Sequence, residues 1–200
     1  MRRDNGDPAV SSHFFMMTPI TWDSKMEDLT VKENTVSGGE KKITFKNECK
    51  NSICRADEAE RLFRLGYNCS QSTFAAFADI LGMTTEQAAK LASPFGAGFG
   101  KMREVCGAVC GMTMLAGYLN GYAEPDDADG KMALYEKIQA MCHAFEETEG
   151  TLICRELLGL KKGEDLEEPA VRTEEYYLSR PCVRACRRAA QIAEEHLLGR

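Results

Sequence analysis

Two hundred residues, 44% apolar and 28% charged, suffice for one ordinary globular domain with room for an appendage. A net charge of −6 argues against a nucleic-acid surface, and the basic run Arg184, Arg187, Arg188 is too short to reverse that. The cysteines number nine, and no apolar segment follows Arg2 and Arg3 to complete a secretory or twin-arginine signal, so the expected setting is reducing and cytoplasmic. In that setting cysteines bind metal or do redox chemistry more often than they staple a fold.

Residues 1–55 show no sustained period and read as a tail with little structure. Met16, Met17 and Met26 are alternative starts, so whether residues 1–50 belong to the native protein stays open. Cys49 and Cys54 close the tail without an assigned role. Residues 56–200 form the second unit, a helical domain. Asp57 with Glu60 fits a cap for a first helix that ends at Gly66. Tyr67 to Ser70 makes a turn, and Phe74, Phe77, Ala78 and Leu81 form the stripe of a second helix closed by Gly82. Thr84 with Gln87 caps a third, which runs to Ala92.

Glycines then stand at alternate positions, Gly96, Gly98 and Gly100, before a long apolar helix from Glu104 to Asn120. That helix is apolar on nearly every face, as one surrounded by others would be. The charge-free run Val105 to Ala123 is at the lower limit for a membrane span and contains four glycines, so a buried helix explains it better. Another helix starts at Asp129 with the stripe Met132, Tyr135, Ile138, Cys142 and Phe145, and ends at Gly150. Cys154 to Gly159 makes one short turn, residues 160–177 are irregular, and Ser179 caps a terminal helix with Pro181 in its first turn. The expected class is all-α, about five to six helices behind a poorly structured tail.

Four cysteines share one context. Cys69, Cys106, Cys154 and Cys182 each open a helix, where unpaired N–H groups and the helix dipole favour thiolate by about 0.3–1 kcal/mol each. Four such ends converging would offset the repulsion of a thiolate group or a bound anionic cluster. Cys142, on the apolar stripe, reads as core; Cys110 and Cys186 stay undecided. A Cys106–Cys110 disulfide would require unwinding, because i and i+4 Cβ atoms stand about 5–6 Å apart on a helix and a disulfide needs about 3.5–4.5 Å. The same holds for Cys182 with Cys186. The alternate glycines lack a preceding strand and the third-glycine spacing of a dinucleotide site. Gly96, Gly98, Gly100 and Gly107 instead allow backbone to approach a cofactor closely and to donate N–H bonds to sulfur. His13, His143 and His196 carry no signal, and His143 is expected at the surface.

The segments GYNCSQS, LASPFGAGFGKMREVCGAVCG, CRELLG and RPCVRAC resemble the C-GCAxxG-C-C family of redox-active proteins, with the central motif present as Cys106-Gly107-Ala108-Val109-Cys110-Gly111. The likeness spans about residues 56–198. It implies redox activity and iron–sulfur ligation through Cys69, Cys106, Cys154 and Cys182, the four selected by the helix-start argument. Cys110 occupies a variable position of the motif.

The leading expectation is therefore an electron carrier rather than a stand-alone enzyme, holding a [2Fe–2S] or [4Fe–4S] cluster on these four thiolates. Two alternatives stand beside it. One is a metal-free thiol–disulfide oxidoreductase with Cys106 as nucleophile and Cys69 or Cys182 resolving. The other is a structural zinc domain, for which two C-x₃-C pairs inside helices are weak support. The expected partner is a redox protein that the sequence does not identify; a homodimer stays open, and neither nucleic acid nor a membrane span is expected.

Overall fold

The computed structural model describes residues 54–165 and 171–200. The expected N-terminal tail up to residue 53, with Cys49, lies outside the described residues. The elements run α1 (Arg55–Arg64), α2 (Cys69–Ala75), α3 (Thr85–Ala92), a 3-10 turn (Ser93–Phe95), the coil α4 (Gly96–Phe99), α5 (Gly107–Asn120), α6 (Ala128–Glu149), α7 (Cys154–Leu157), α8 (Glu174–Ser179) and α9 (Cys182–Leu198). Among the described residues the extended pairing is limited to one antiparallel bridge, Val105 with Ile153. The class is all-α as the periodicity predicts, with six helices of seven residues or more and three short ones among the described residues.

The short helix α2 sits at the centre and packs on α1, α3, α5 and α9. Asn68 caps it through a reciprocal box with Gln71, and Thr84 with Gln87 does the same for α3. Phe63, Phe74, Phe77, Met112, Leu115 and Phe145 fill the core. Each such side chain contributes about 1.5–3 kcal/mol by leaving water. The inner face of α9 is Ala185, Ala189, Ala190 and Ala193, small enough to let that helix lie close against α1 and α5.

Several expectations are corrected. Asp57 and Glu60 do not cap α1, whose N-cap is Cys54. Both carboxylates instead reach across to Arg187 on α9, because an inter-helix guanidinium competes better for them than an exposed helix end does. The Phe74–Leu81 stripe is buried as predicted, but regular α-helix stops at Ala75. Tight i→i+3 turns continue it, as in the Phe77 N–H to Phe74 carbonyl bond of 3.2 Å. α5 begins at Gly107 rather than Glu104, since residues 103–105 are drawn into backbone pairing with residues 153–155. One stretch of α5 is open, with Tyr118 52% exposed. On α6 the buried face is Leu134, Met141 and Phe145, and Met132 and Tyr135 point outward. The expected irregular stretch 160–177 ends in helix: α8, residues 174–179, is capped by Thr173 and anchored by the buried Tyr177. Ser179 ends α8, and Pro181 is the N-cap of α9.

Arg55 ties the start of α1 to the turns after α2. Its side chain is 6% exposed, donates to Asp79 Oδ1 at 2.6 Å, Asp79 Oδ2 at 2.9 Å and the Ala76 carbonyl at 2.8 Å, and lies over the Phe77 ring. Its hydrogen bond and charge hold the Asp79 carboxyl below its ordinary value. The native pKa is the lower one, so the stabilisation is complete above the ordinary carboxylate range and is lost as pH falls through the native value. Thermal unfolding followed from pH 5 to pH 2 should therefore show a steeper acid loss in wild type than in Asp79→Asn, which should already be the less stable protein at neutral pH by about 1–3 kcal/mol. Parallel pH curves for the two proteins would remove this pair from the account.

Candidate functional site

The four helix-start cysteines come together. Cys69, Cys154 and Cys182 are each the first residue of their helix, α2, α7 and α9, and Cys106 is the N-cap of α5. Two backbone devices bring them into one place. The first is the bridge between residues 103–106 and 152–155. Cys106 N–H donates to Leu152 O at 2.8 Å, Cys154 N–H to Glu104 O at 2.6 Å, and Arg155 N–H to Arg103 O at 3.1 Å, which sets Cys106 beside Cys154. The second is the pair of glycines in the central motif. A Cβ on Gly107 would stand 3.2 Å from Cys69 Cβ and 2.9 Å from the Phe95 carbonyl, and one on Gly111 would stand 2.7 Å from the Ser70 carbonyl. These two positions, four apart on one face of α5, let α2 touch the α5 backbone and bring Cys69 to Cys106.

Between these elements lies a cavity of about 370 Å³. Cys69, Cys154 and Cys182 form its thiol wall, and Lys101, Arg103, Arg172 and Arg180 line it as well. Cys106 is buried behind that wall, close enough to act electrostatically on Cys69, and to be acted on by Cys154 and Cys182. Four positive side chains around one cavity are notable in a chain of net charge −6.

The alternate glycines have separate parts. Gly96 leaves room for the Asn68 side chain, the cap of α2. Gly98 is the contact point for Cys154 and Arg103, where a Cβ would stand 2.6 Å from Cys154 Cβ and 2.8 Å from Arg103 Cα. A Cβ on Gly100 would make only ordinary contact with the Pro94 carbonyl, at 3.7 Å, and its N–H is bonded to the Gly96 carbonyl. The coil itself winds the wrong way for L-residues. Ala97, Gly98, Phe99, Gly100 and Lys101 have φ between 53° and 73°, and Arg103 joins them at 61°. Each non-glycine residue costs about 1–2 kcal/mol in that region, so the surroundings must hold the coil in place.

The helix-end argument predicts thiolates, and here burial overrides it. Burial pushes the Cys106 thiol up to about 12 against the pull of the Ala108 and Val109 N–H groups, and Cys154 and Cys182 add to the rise. A hydrogen bond with Cys69, then burial, drives Cys182 far up. The same bond favours ionisation of Cys69, but its bond with Cys186, burial, and the nearness of Cys186 and Cys106 raise it well above the usual thiol range. Cys154 is raised by burial and by Cys182, opposed by Arg103 and Arg180. A helix end contributes about 1 kcal/mol or less, whereas desolvation of a fully buried charge shifts a pKa by several units.

The other cysteines fall into place around this group. Cys186 is fully buried and its thiol donates to the Cys69 carbonyl at 3.7 Å, which makes it a core residue adjoining the site. Cys110 is half-buried, raised to about 11 by burial, and points at the Val105 carbonyl. Cys142 packs half-buried against the core, and His143 is exposed beside Glu146. All described cysteines are free thiols. Among the described residues no group of three His, Cys, Asp or Glu stands ready to hold a single metal ion, and no helix is long and apolar enough to cross a membrane.

The family model described as putative redox-active protein (C_GCAxxG_C_C) matches residues 67–196, about two thirds of the chain. The protein belongs to this family. The match covers all four helix-start cysteines and the Gly107 and Gly111 contacts with α2. No curated protein and no solved structure matches the chain. Residues outside the motif cysteines that sequence reasoning missed are Arg103 and Arg180, the two guanidinium groups acting on Cys154 and Cys182.

The glycine contacts generate a matched pair of substitutions. Gly111→Ala places a methyl against the Ser70 carbonyl and should destabilise the fold by about 1–3 kcal/mol, because neither backbone can give way. Gly117→Ala, six residues on in the same helix with nothing within 4 Å, should stabilise by up to about 1 kcal/mol. Urea unfolding of the two variants checks both signs.

Proposed function

We propose that the protein is a cytoplasmic electron carrier whose Cys69, Cys106, Cys154 and Cys182 hold an iron–sulfur cluster. The observation that carries this reading is the convergence of helix-start thiols from four separate segments: Cys69, Cys154 and Cys182 line one cation-lined cavity, and Cys106 is buried behind them. Such a cluster takes up and returns one electron. Burial and neighbouring thiols raise all four cysteines, so a metal centre bound here would have to displace their protons. Arg103 and Arg180 supply further positive charge on the same side. Phe63, Leu158 and Tyr176 line the cavity and limit water on that side. Close backbone approach at Gly98 and Gly107 keeps Cys154 and Cys69 against the coil and against α5.

One feature weighs against Cys106 as the nucleophile of a dithiol enzyme. Attack by Cys106 as a free nucleophile would require a low-pKa thiol, and burial holds it near 12. A second reading retains one supporting observation: the thiols of Cys69 and Cys182 are hydrogen-bonded to each other, which fits a dithiol that closes to a disulfide.

Anaerobic purification and reconstitution with iron and sulfide separate these readings. The proposal expects brown protein with sulfur-to-iron charge-transfer absorption and matching iron and acid-labile sulfide. Each of Cys69→Ser, Cys106→Ser, Cys154→Ser and Cys182→Ser should lose most of that absorption, and Cys142→Ser should keep it. Colourless wild type that resists reconstitution, with a reversible Cys69–Cys182 disulfide found by mass spectrometry after alkylation, would transfer the function to dithiol chemistry.

A further inference from the structure

Arg103 is the anomaly of the site. An arginine is rarely buried unless paired, yet this side chain is 6% exposed. It occupies a left-handed backbone conformation, φ 61°, at the end of a coil that is already strained. Its Cα packs directly on Gly98, where Cys154 Cβ also packs. Its carbonyl is bonded twice by Arg155, from the backbone N–H at 3.1 Å and from Nη1 at 3.3 Å. Backbone, neighbour and glycine therefore all fix where this one guanidinium goes.

The guanidinium has two sides. One is held by Asp165, with Nε to Oδ1 at 2.7 Å and Nη2 to Oδ1 at 2.6 Å. The other faces the cavity that Cys154 and Cys182 also line, where its charge favours the ionised form of both thiols. The pair is asymmetric. Asp165 is 45% exposed, so water screens the carboxylate far more than it screens the buried cation. The thiols therefore experience a net positive charge despite the ion pair. Of the other lining cations, Lys101 is half-exposed, Arg172 is spent on the Phe63 and Tyr67 carbonyls and two aromatic rings, and Arg180 lies over the Tyr176 ring while adding its charge to that of Arg103 at Cys154 and Cys182.

We infer that Arg103 is the positioning residue of the four-cysteine site: anchored by Asp165 and held by the left-handed coil, its buried guanidinium fixes Cys154 and sets the reduction potential of the group the thiols bind. This rests on the cluster reading above. A fixed positive charge stabilises the reduced, more negative state, so it raises the potential. The coil's strain has a purpose on this account: a right-handed path through residues 97–103 would carry the guanidinium elsewhere.

The test uses the full chain, reconstituted anaerobically with iron and sulfide and titrated with dithionite and ferricyanide in the presence of mediators. Arg103→Gln should lower the midpoint potential at cluster content and far-UV circular dichroism close to wild type, and Arg103→Lys should recover most of the shift. Asp165→Asn should raise it, since the partial cancellation of the guanidinium is gone; this variant decides the matter if Arg103→Gln does not fold. A purely structural tie predicts lost cluster content or lower thermal stability, with the remaining clusters at the wild-type potential, and that result overturns the assignment. So does an Asp165→Asn potential that is unchanged or lowered. Wild type that accepts no cluster overturns the cluster reading and this inference together, whereas a cluster whose potential ignores Arg103 overturns the inference alone.

Discussion

The contact between α2 and α5 through Gly107 and Gly111 is the constraint on which the arrangement depends. Two helices normally keep 8–10 Å between axes because side chains intervene, to within about that range. Here α5 presents bare backbone to Ser70 and Thr73, so the start of α2 is brought to the start of α5. Everything that meets Cys69 follows from it: Cys106 behind, Cys182 and Cys186 from α9, and the coil that lies over Asn68. The two glycines of the motif are thus structural in mechanism, although their result is a site.

Against this constraint works a conflict of forces on the thiols. Helix N-termini favour anions, and close packing disfavours any charge. In this fold packing prevails, and the thiols stay protonated on their own. The same conflict leaves the site poised. Its four sulfur atoms are poor thiolates alone and become good ones in the presence of compensating positive charge, part of which the protein already supplies from Arg103 and Arg180. The strained coil belongs to the same economy of charge: three non-glycine residues in a row of five left-handed ones, and Arg103 beyond them, are held in place by the bridge to residues 153–155.

What could be read from the chain was local. The cap of α3, the apolar core of α5 and the four cysteine positions all rest on signals within a few residues, and the structure places them accordingly. The failures have a common cause in competition from distant partners. Asp57 and Glu60 look like capping residues until Arg187 arrives from α9. Glu104 and Val105 continue a helical pattern until residues 153–155 claim their backbone. The left-handed winding at Ala97, Phe99, Lys101 and Arg103 has no signal in residue type, because only glycine favours it. Two further local signals stand in the chain: the Asn68–Gln71 cap of α2, and Thr173 followed by Glu174 and Glu175, an ordinary helix opening for α8.

The four thiols are contributed by segments that stretch from residue 69 to residue 182. No two of them are neighbours along the chain, so nothing resembling the site exists in a nascent or partly unfolded polypeptide. α9 brings Cys182 to the cavity that Cys69 and Cys154 also line. Anything held by all four thiols would act as a cross-link among α2, α5, α7 and α9, binding the folded state and adding its affinity to the stability of the chain.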